Sequence, residues 1–191
     1  RDRLDDANQV SLGVATRFFS GVDGSERFNA SLGQIYYLDN RRVRLNPDAP
    51  ELERSNSEMA GEVNFYPNDR FAFRSRAQWD TESGKVNAGN LFGSYRREDG
   101  TLMNIGYTYR REFTLVGDQP PTDQAHLSAV LPINDRWRTF FAWNYSFEAD
   151  RAVEDMLGFE YDNCCWTVRL LHLRYFDTAR GVLPDFDSPN L

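Results

Sequence analysis

Two adjacent residues carry the most distinctive chemistry in this sequence: Cys164 and Cys165, followed at once by Trp166. A disulfide needs Cα atoms about 4.4–6.8 Å apart and defined dihedrals, and a bond between chain neighbours closes a small strained ring. A mutual bridge is therefore disfavoured. No other cysteine exists in the 191 residues, so an oxidised partner would lie outside them. The competing reading is a pair of inert thiols. The imidazoles are His126 and His172. With one cysteine pair they make no recognisable metal-ligand spacing, so neither a metal nor another cofactor is expected. His126 and Ser128 would share one side of a strand. Yet no Gly-x-Ser-x-Gly elbow accompanies them and nothing marks an orienting acid. A hydrolase is thus a disfavoured alternative, and no enzyme is expected.

The elements that must carry these residues are written in a period of two. In 137–148, Trp137, Thr139, Phe141, Trp143, Tyr145 and Phe147 are uncharged, while the other phase holds Arg138, Asn144, Ser146 and Glu148. Residues 9–19, 57–66 and 71–80 alternate in the same way. Such alternation means strands with one apolar and one polar face. About ten segments follow this rule: 8–20, 27–39, 57–67, 70–81, 85–96, 101–113, 124–133, 136–148, 153–162 and 165–176. Most are about ten to thirteen residues long, where soluble strands average about five or six and a tilted bilayer-spanning strand needs about 9–11. In 165–176 the apolar phase switches from Trp166, Val168 and Leu170 to Leu171, Leu173 and Tyr175, which predicts a β-bulge near Leu170.

Short turns are expected at 21–24, 67–69, 98–100, 132–135 and 162–163, and longer connections at 40–56, 82–85, 114–123 and 149–152. Short turns on one side and long loops on the other suit an outer-membrane barrel, with the short side periplasmic. Composition agrees. Aromatics make up 14 % of a chain whose mean hydropathy is only −0.64. No apolar run of helical bilayer-spanning length occurs. The net charge of −7 and the lack of a basic stripe argue against nucleic acid. The fold class expected is all-β: an antiparallel up-and-down transmembrane β-barrel, of which these are about ten strands of a larger whole. A soluble β-sandwich is the bland alternative, disfavoured by strand length.

One phase gathers charge: Glu58, Glu62, Arg74, Arg76, Asp80, Arg110, Arg138, Glu148 and Glu160 are expected to face a hydrated lumen. Either that lumen admits a polar, charged solute, or it is charged simply because water fills it. The 67–69 hairpin would set Glu62 across from Arg74 or Arg76, a pairing that contributes about 0.2–1 kcal/mol. The girdle aromatics, Trp79, Trp137, Tyr161 and Trp166 among them, fall towards strand ends.

The stretch Gly158-Phe159-Glu160-Tyr161-Asp162-Asn163-Cys164-Cys165-Trp166 resembles the C-terminal signature of the LptD family. Asp6-Ala7-Asn8-Gln9-Val10 and the run from Arg27 to Tyr37 are similar to earlier barrel strands of that family, in the same order. The Cys-Cys-Trp turn is the specific part. The resemblance implies an outer-membrane protein that transports and inserts lipopolysaccharide, contacts outer-membrane lipid and performs no covalent chemistry. It implies a plug lipoprotein, LptE, inside the barrel and a periplasmic bridge protein, LptA. It also implies that Cys164 and Cys165 form disulfides with separate cysteines of an N-terminal region. On this reading residues 1–191 are part of a C-terminal barrel domain, with the N-terminal periplasmic domain and the closing strands lying outside them. A charged start, Arg1-Asp2-Arg3-Leu4-Asp5-Asp6, in place of an apolar leader fits a piece of a longer protein. Such a piece, with two unpaired edges, is not expected to insert alone. The rival within the fold class is a porin-like channel or a plugged receptor, which has no need of paired cysteines at a turn.

Overall fold

The computed structural model describes residues 8–38, 55–111 and 121–176. They form ten strands: β1 (Gln9–Phe19), β2 (Glu26–Tyr37), β3 (Met59–Asn68), β4 (Phe71–Asp80), β5 (Lys85–Arg96), β6 (Leu102–Arg110), β7 (Thr122–Pro132), β8 (Trp137–Ser146), β9 (Arg151–Asp162) and β10 (Thr167–Tyr175). Their order in the sheet is their order in the chain, so β1 and β10 each have one neighbour and the sheet is open. Six adjacent pairs, β1–β2, β2–β3, β3–β4, β7–β8, β8–β9 and β9–β10, are antiparallel. No helix occurs among the described residues.

Each expected segment overlaps one strand, and the strands run from 9 residues in β10 to 12 in β9, the length a tilted bilayer-spanning strand requires. The ends differ. The connections expected over 82–85 and 149–152 are four-residue turns at 81–84 and 147–150. Glycine relieves the first, with Gly84 at φ 67°, while Asp150 takes φ 50° in the second. Most of the two long connections, 39–54 and 112–120, lies outside the described residues. The short turns are built by side chains that imitate backbone. Asn68 Oδ1 accepts from the amides of Arg70 and Phe71, and Asn134 Oδ1 from those of Arg136 and Trp137.

The predicted bulge near Leu170 is absent. Strand β10 pairs with β9 without a break from Thr167↔Asp162 to Tyr175↔Glu154. Because the pleat is unbroken, the apolar character itself changes face. Val168 and Leu170 pair with Tyr161 and Phe159, whereas Leu171 and Leu173 lie in the phase of Glu160. The bulges lie elsewhere: at Phe18/Phe19, between Phe65 and Asn68, and at Asn144/Tyr145.

Packing separates this sheet from a soluble one. Among the described residues no hydrophobic side chain is buried, and the buried side chains are polar: Gln34, Asn64, Asp80, Asn87, Ser146 and Glu160. Val14 is 68 % exposed and Leu170 72 %. A soluble sandwich buries its Val, Leu and Phe between layers. Here the apolar phase has no second layer, and a hydrocarbon solvent is what would satisfy it.

By residue contacts the chain divides into two units, 1–91 with 108–122, and 92–107 with 123–191. In the first, the apolar phase of β1–β4 is closed on the short-turn side by an aromatic row, Phe18–Phe28–Phe65–Phe73, read across the register. Phe18 and Phe28 are 5.7 Å apart between ring centroids, and Phe65 and Phe73 6.4 Å. In the second unit, Trp137, Tyr161 and Trp166 hold the same kind of place beside the β9–β10 turn, with centroid separations of 4.9 and 5.1 Å.

Candidate functional site

In the first unit the charges of the polar phase are knitted to one another. Glu62 faces Arg76 in the register, and Arg76 Nε lies 3.1 Å from Glu62 Oε2. Asn64 donates to the Glu62 carboxylate at 2.7 Å and also to Asn29. Arg74 faces Asn64. Glu58 precedes β3 and accepts from the Asn87 amide. Asp80 is turned into its own hairpin, where its Oδ1 accepts from the amides of Glu82 and Ser83. Arg110 ends β6 and donates to Thr122 Oγ1 at 3.1 Å. Of the charged residues singled out from the sequence, two lie outside the strands: Glu58, just before β3, and Glu148, in the turn after β8.

In the second unit four rows run across β7, β8, β9 and β10 on one face. Nearest the short turns is an ionic row, Pro132–Arg138–Glu160–Arg169. Glu160 is 3 % exposed. Arg138 Nε meets one of its carboxylate oxygens at 3.0 Å, and the Arg169 guanidinium grips the other. Next come two apolar rows, Val130–Phe140–Gly158–Leu171 and Ser128–Ala142–Met156–Leu173. The Leu171 side chain lies over Gly158, close to where a Cβ on residue 158 would stand, so any larger residue there makes Leu171 move. Arg169 also stacks over Phe140, 5.1 Å from the ring centroid. The fourth row is polar again: His126 Nδ1 meets Asn144 Oδ1 at 2.8 Å, and the Asn144 amide donates to Glu154.

His126 is thus engaged by Asn144, while Ser128 accepts from the Asn104 amide at 3.1 Å. The Ser–His pairing conceivable from spacing is not formed. His172 sits in the other phase, opposite Leu157. On that apolar phase, at the end away from the short turn, Asp155 and Arg174 face each other as a forked ion pair at 3.1–3.2 Å. Mutual neutralisation lowers the cost of charge at a depth where that cost is already small.

Cys164 and Cys165 occupy the turn at 163–166, both exposed and both unbridged. Their sulfurs are in contact, 2.9 Å apart. That hydrogen bond, and to a lesser degree burial, raise the Cys164 thiol above its ordinary pKa. The turn closes through the Asn163 amide to the Trp166 carbonyl at 3.0 Å, and Asn163 Oδ1 accepts from the Cys164 amide at 2.9 Å. One row back, Thr167 Oγ1 donates to Asp162 at 2.8 Å. Other short turns are braced by carboxylates. The Ser20 hydroxyl, then that of Ser25, holds Asp23 well below the usual carboxylate range, and the Thr101 amide does the same for Asp99.

Sequence reasoning named Arg138 and Glu160 separately and missed that with Arg169 they form one cluster. The signal was present. Glu160 and Arg169 are equidistant from the turn, so any tight hairpin there must place them opposite each other.

A single layer of antiparallel, up-and-down strands of bilayer length, with its apolar phase uncovered and its other phase charged, is the wall of a transmembrane β-barrel. The family is narrower. The family model described as LptD, LPS transport system D, matches residues 1–137. A protein of Saccharophagus degradans named LPS-assembly protein LptD is 36 % identical over 192 residues, covering 97 % of this chain and 22 % of that protein. One of the same name from Pseudomonas putida is 31 % identical, covering 92 % of this chain and 22 % of its own length. A third, from Nitrosococcus oceani, is 34 % identical, covering 94 % and 23 %. The chain belongs to the LptD family. It spans about a fifth of the length of these relatives, 22 to 23 %.

Proposed function

We propose that this chain is wall of the C-terminal outer-membrane barrel of a lipopolysaccharide-assembly protein, which passes lipopolysaccharide to the outer leaflet without covalent chemistry. The observation that carries the reading is the sheet itself: bilayer-length strands with no buried apolar side chain among the described residues, in a chain of the LptD family. Such a wall can stand only in hydrocarbon, and its charged phase then faces a hydrated interior. Glu58, Glu62, Arg74, Arg76, Asp80, Arg110, Arg138 and Glu160 are its polar lining on this reading. Partners are lipopolysaccharide itself, a plug lipoprotein of the LptE kind within the barrel and a periplasmic bridge protein of the LptA kind. Cys164 and Cys165, exposed at a short turn and so on the periplasmic side, bond to cysteines in an N-terminal region of the parent protein. Disulfides persist in that compartment.

The test is depletion of the parent protein in its own organism, following newly made lipopolysaccharide to the cell surface. Arrival should stop while synthesis continues. Arrival at the normal rate without the protein refutes the reading. Gel mobility of the full-length protein with and without reductant tests the cysteines separately. A reductant-sensitive shift, lost when both cysteines are changed to serine, is the expected result.

A further inference from the structure

We propose that Glu160 is a positioning residue for the cysteine turn. Its buried carboxylate fixes the direction in which Cys164 and Cys165 present their thiols, and so sets how fast they pair with cysteines elsewhere in the parent protein; each bond forms by exchange with a protein disulfide of the periplasm, which takes the two electrons and leaves as a dithiol. This rests on the disulfide reading given above.

The turn is gripped on both faces of the hairpin. On one face Glu160, 3 % exposed, is bound through one oxygen by Arg138 of β8 and through the other by Arg169 of β10. Three strands are thereby tied together three residues before the turn begins. Arg138 also reaches Asp162 at 3.7 Å, and Asp162 accepts from Thr167 across the hairpin. On the other face Trp137, Tyr161 and Trp166 stack in sequence. Beyond these contacts stand two exposed thiols that touch each other, with Asn163 accepting from the Cys164 amide. Their direction is inherited from the legs of the turn.

Direction matters because disulfide exchange needs sulfur, sulfur and partner nearly in line within a narrow distance window. Intramolecular reactions gain their rate from such alignment and lose on the order of a hundredfold for a misplacement of about 1 Å. Removing the charge of Glu160 leaves two arginines without their shared counter-ion, which loosens β8 and β10 from β9 next to the turn.

The experiment uses the full-length parent protein in its own outer membrane. Glu160→Gln is compared with wild type by pulse labelling. Folded barrels are separated by their heat-modifiable mobility, and reductant-sensitive linkage and maleimide-reactive thiol are read within that folded fraction only. The expected result is linkage on the order of tenfold slower, with a matching excess of free thiol. Linkage at the wild-type rate in folded Glu160→Gln overturns the proposal, since a merely structural role would change the folded amount and not the rate within it. If Glu160→Gln does not fold, Arg169→Lys keeps the charge and loses the planar fork. Slowing there supports the proposal, and a wild-type rate overturns it. If wild type itself shows no reductant-sensitive species, the disulfide reading falls and takes this proposal with it.

Discussion

Placing one arginine at different depths of the apolar phase tests whether hydrocarbon is the solvent of that face. Val63 is near the middle of β3, on the apolar phase, between Ala30 of β2 and Ser75 of β4. It lies four residues from Met59 and five from Asn68, the ends of the strand. At about 3.3 Å per residue that is roughly 13–17 Å from either end. An arginine there cannot reach an interface without distorting the sheet, so Val63→Arg should cost about 2–4 kcal/mol, or roughly a 30- to 1000-fold fall in the folding equilibrium. Val10 stands on the same phase at the start of β1, opposite Tyr36. Val10→Arg should cost about 0–1 kcal/mol. Gln78, opposite Ala60 on the charged phase, should accept arginine within about 0.5 kcal/mol. The assay is urea titration of the full-length parent protein folding into phospholipid vesicles, read by heat-modifiable mobility. Equal costs at Val63 and Val10 would refute the reasoning, because a face against water or against a second protein layer has no such depth gradient.

Three further outcomes are expected. The Sγ contact with Cys165 raises the Cys164 thiol, so in reduced protein maleimide should label it slowly near neutrality and speed up only above the ordinary thiol range, about 8.5; Cys165→Ala should restore an ordinary pH–rate profile. Asp23 and Asp99 are held below their ordinary values by hydrogen bonds within their turns. Their stabilisation is therefore fully present above the ordinary carboxylate pKa, about 3.9, and is lost as pH falls through the depressed values. Hydrogen exchange at the amides of Ser25 and Thr101 should accordingly stay slow down to about pH 4 and quicken only in stronger acid. Gly158→Val brings a Cβ 2.3 Å from Leu171 Cδ2 and 3.1 Å from the Leu170 carbonyl oxygen, at about 1–3 kcal/mol of overpacking. Leu171→Ala in the same chain should recover part of that in the same urea titration, but not the backbone part.

The strands were legible in the sequence because the bilayer imposes two constraints at once, a period of two and a length of about ten. Turn chemistry at Asn68 and Asn134 was legible for a local reason, an amide side chain in reach of two backbone N–H groups. What escaped depended on register and conformation. Between β3 and β4 the sequence left Glu62 opposite either Arg74 or Arg76; the register, set by the irregularity between Phe65 and Asn68, selects Arg76. Asp150 adopts a positive φ with no glycine to announce it, so the turn after β8 was expected at 149–152, two residues later than the 147–150 observed. The bulge predicted near Leu170 rested on the assumption that apolar residues stay on one face. In β10 they do not, because Leu171 has a glycine to lie on and Leu173 faces Met156.

That change of face gives β8–β10 an unusually well-specified register. A slip by one residue turns every side chain of a strand to the opposite face. If β10 slipped against β9, Arg169 would leave Glu160 for the apolar phase, and Glu160 would stay buried with one guanidinium instead of two. A buried carboxylate that loses one of its two guanidinium partners is left less well compensated. Leu171 would leave its seat over Gly158, and Val168 and Leu170 would leave the face they share with Tyr161 and Phe159. Ionic, steric and aromatic terms therefore agree on a single alignment, and all of them act within a few residues of the turn. An edge strand with one neighbour is otherwise the strand most free to slip. The thiols thus stand at the end of a hairpin whose alignment is fixed three ways, the physical condition under which the proposed pairing with distant cysteines would have a reproducible geometry.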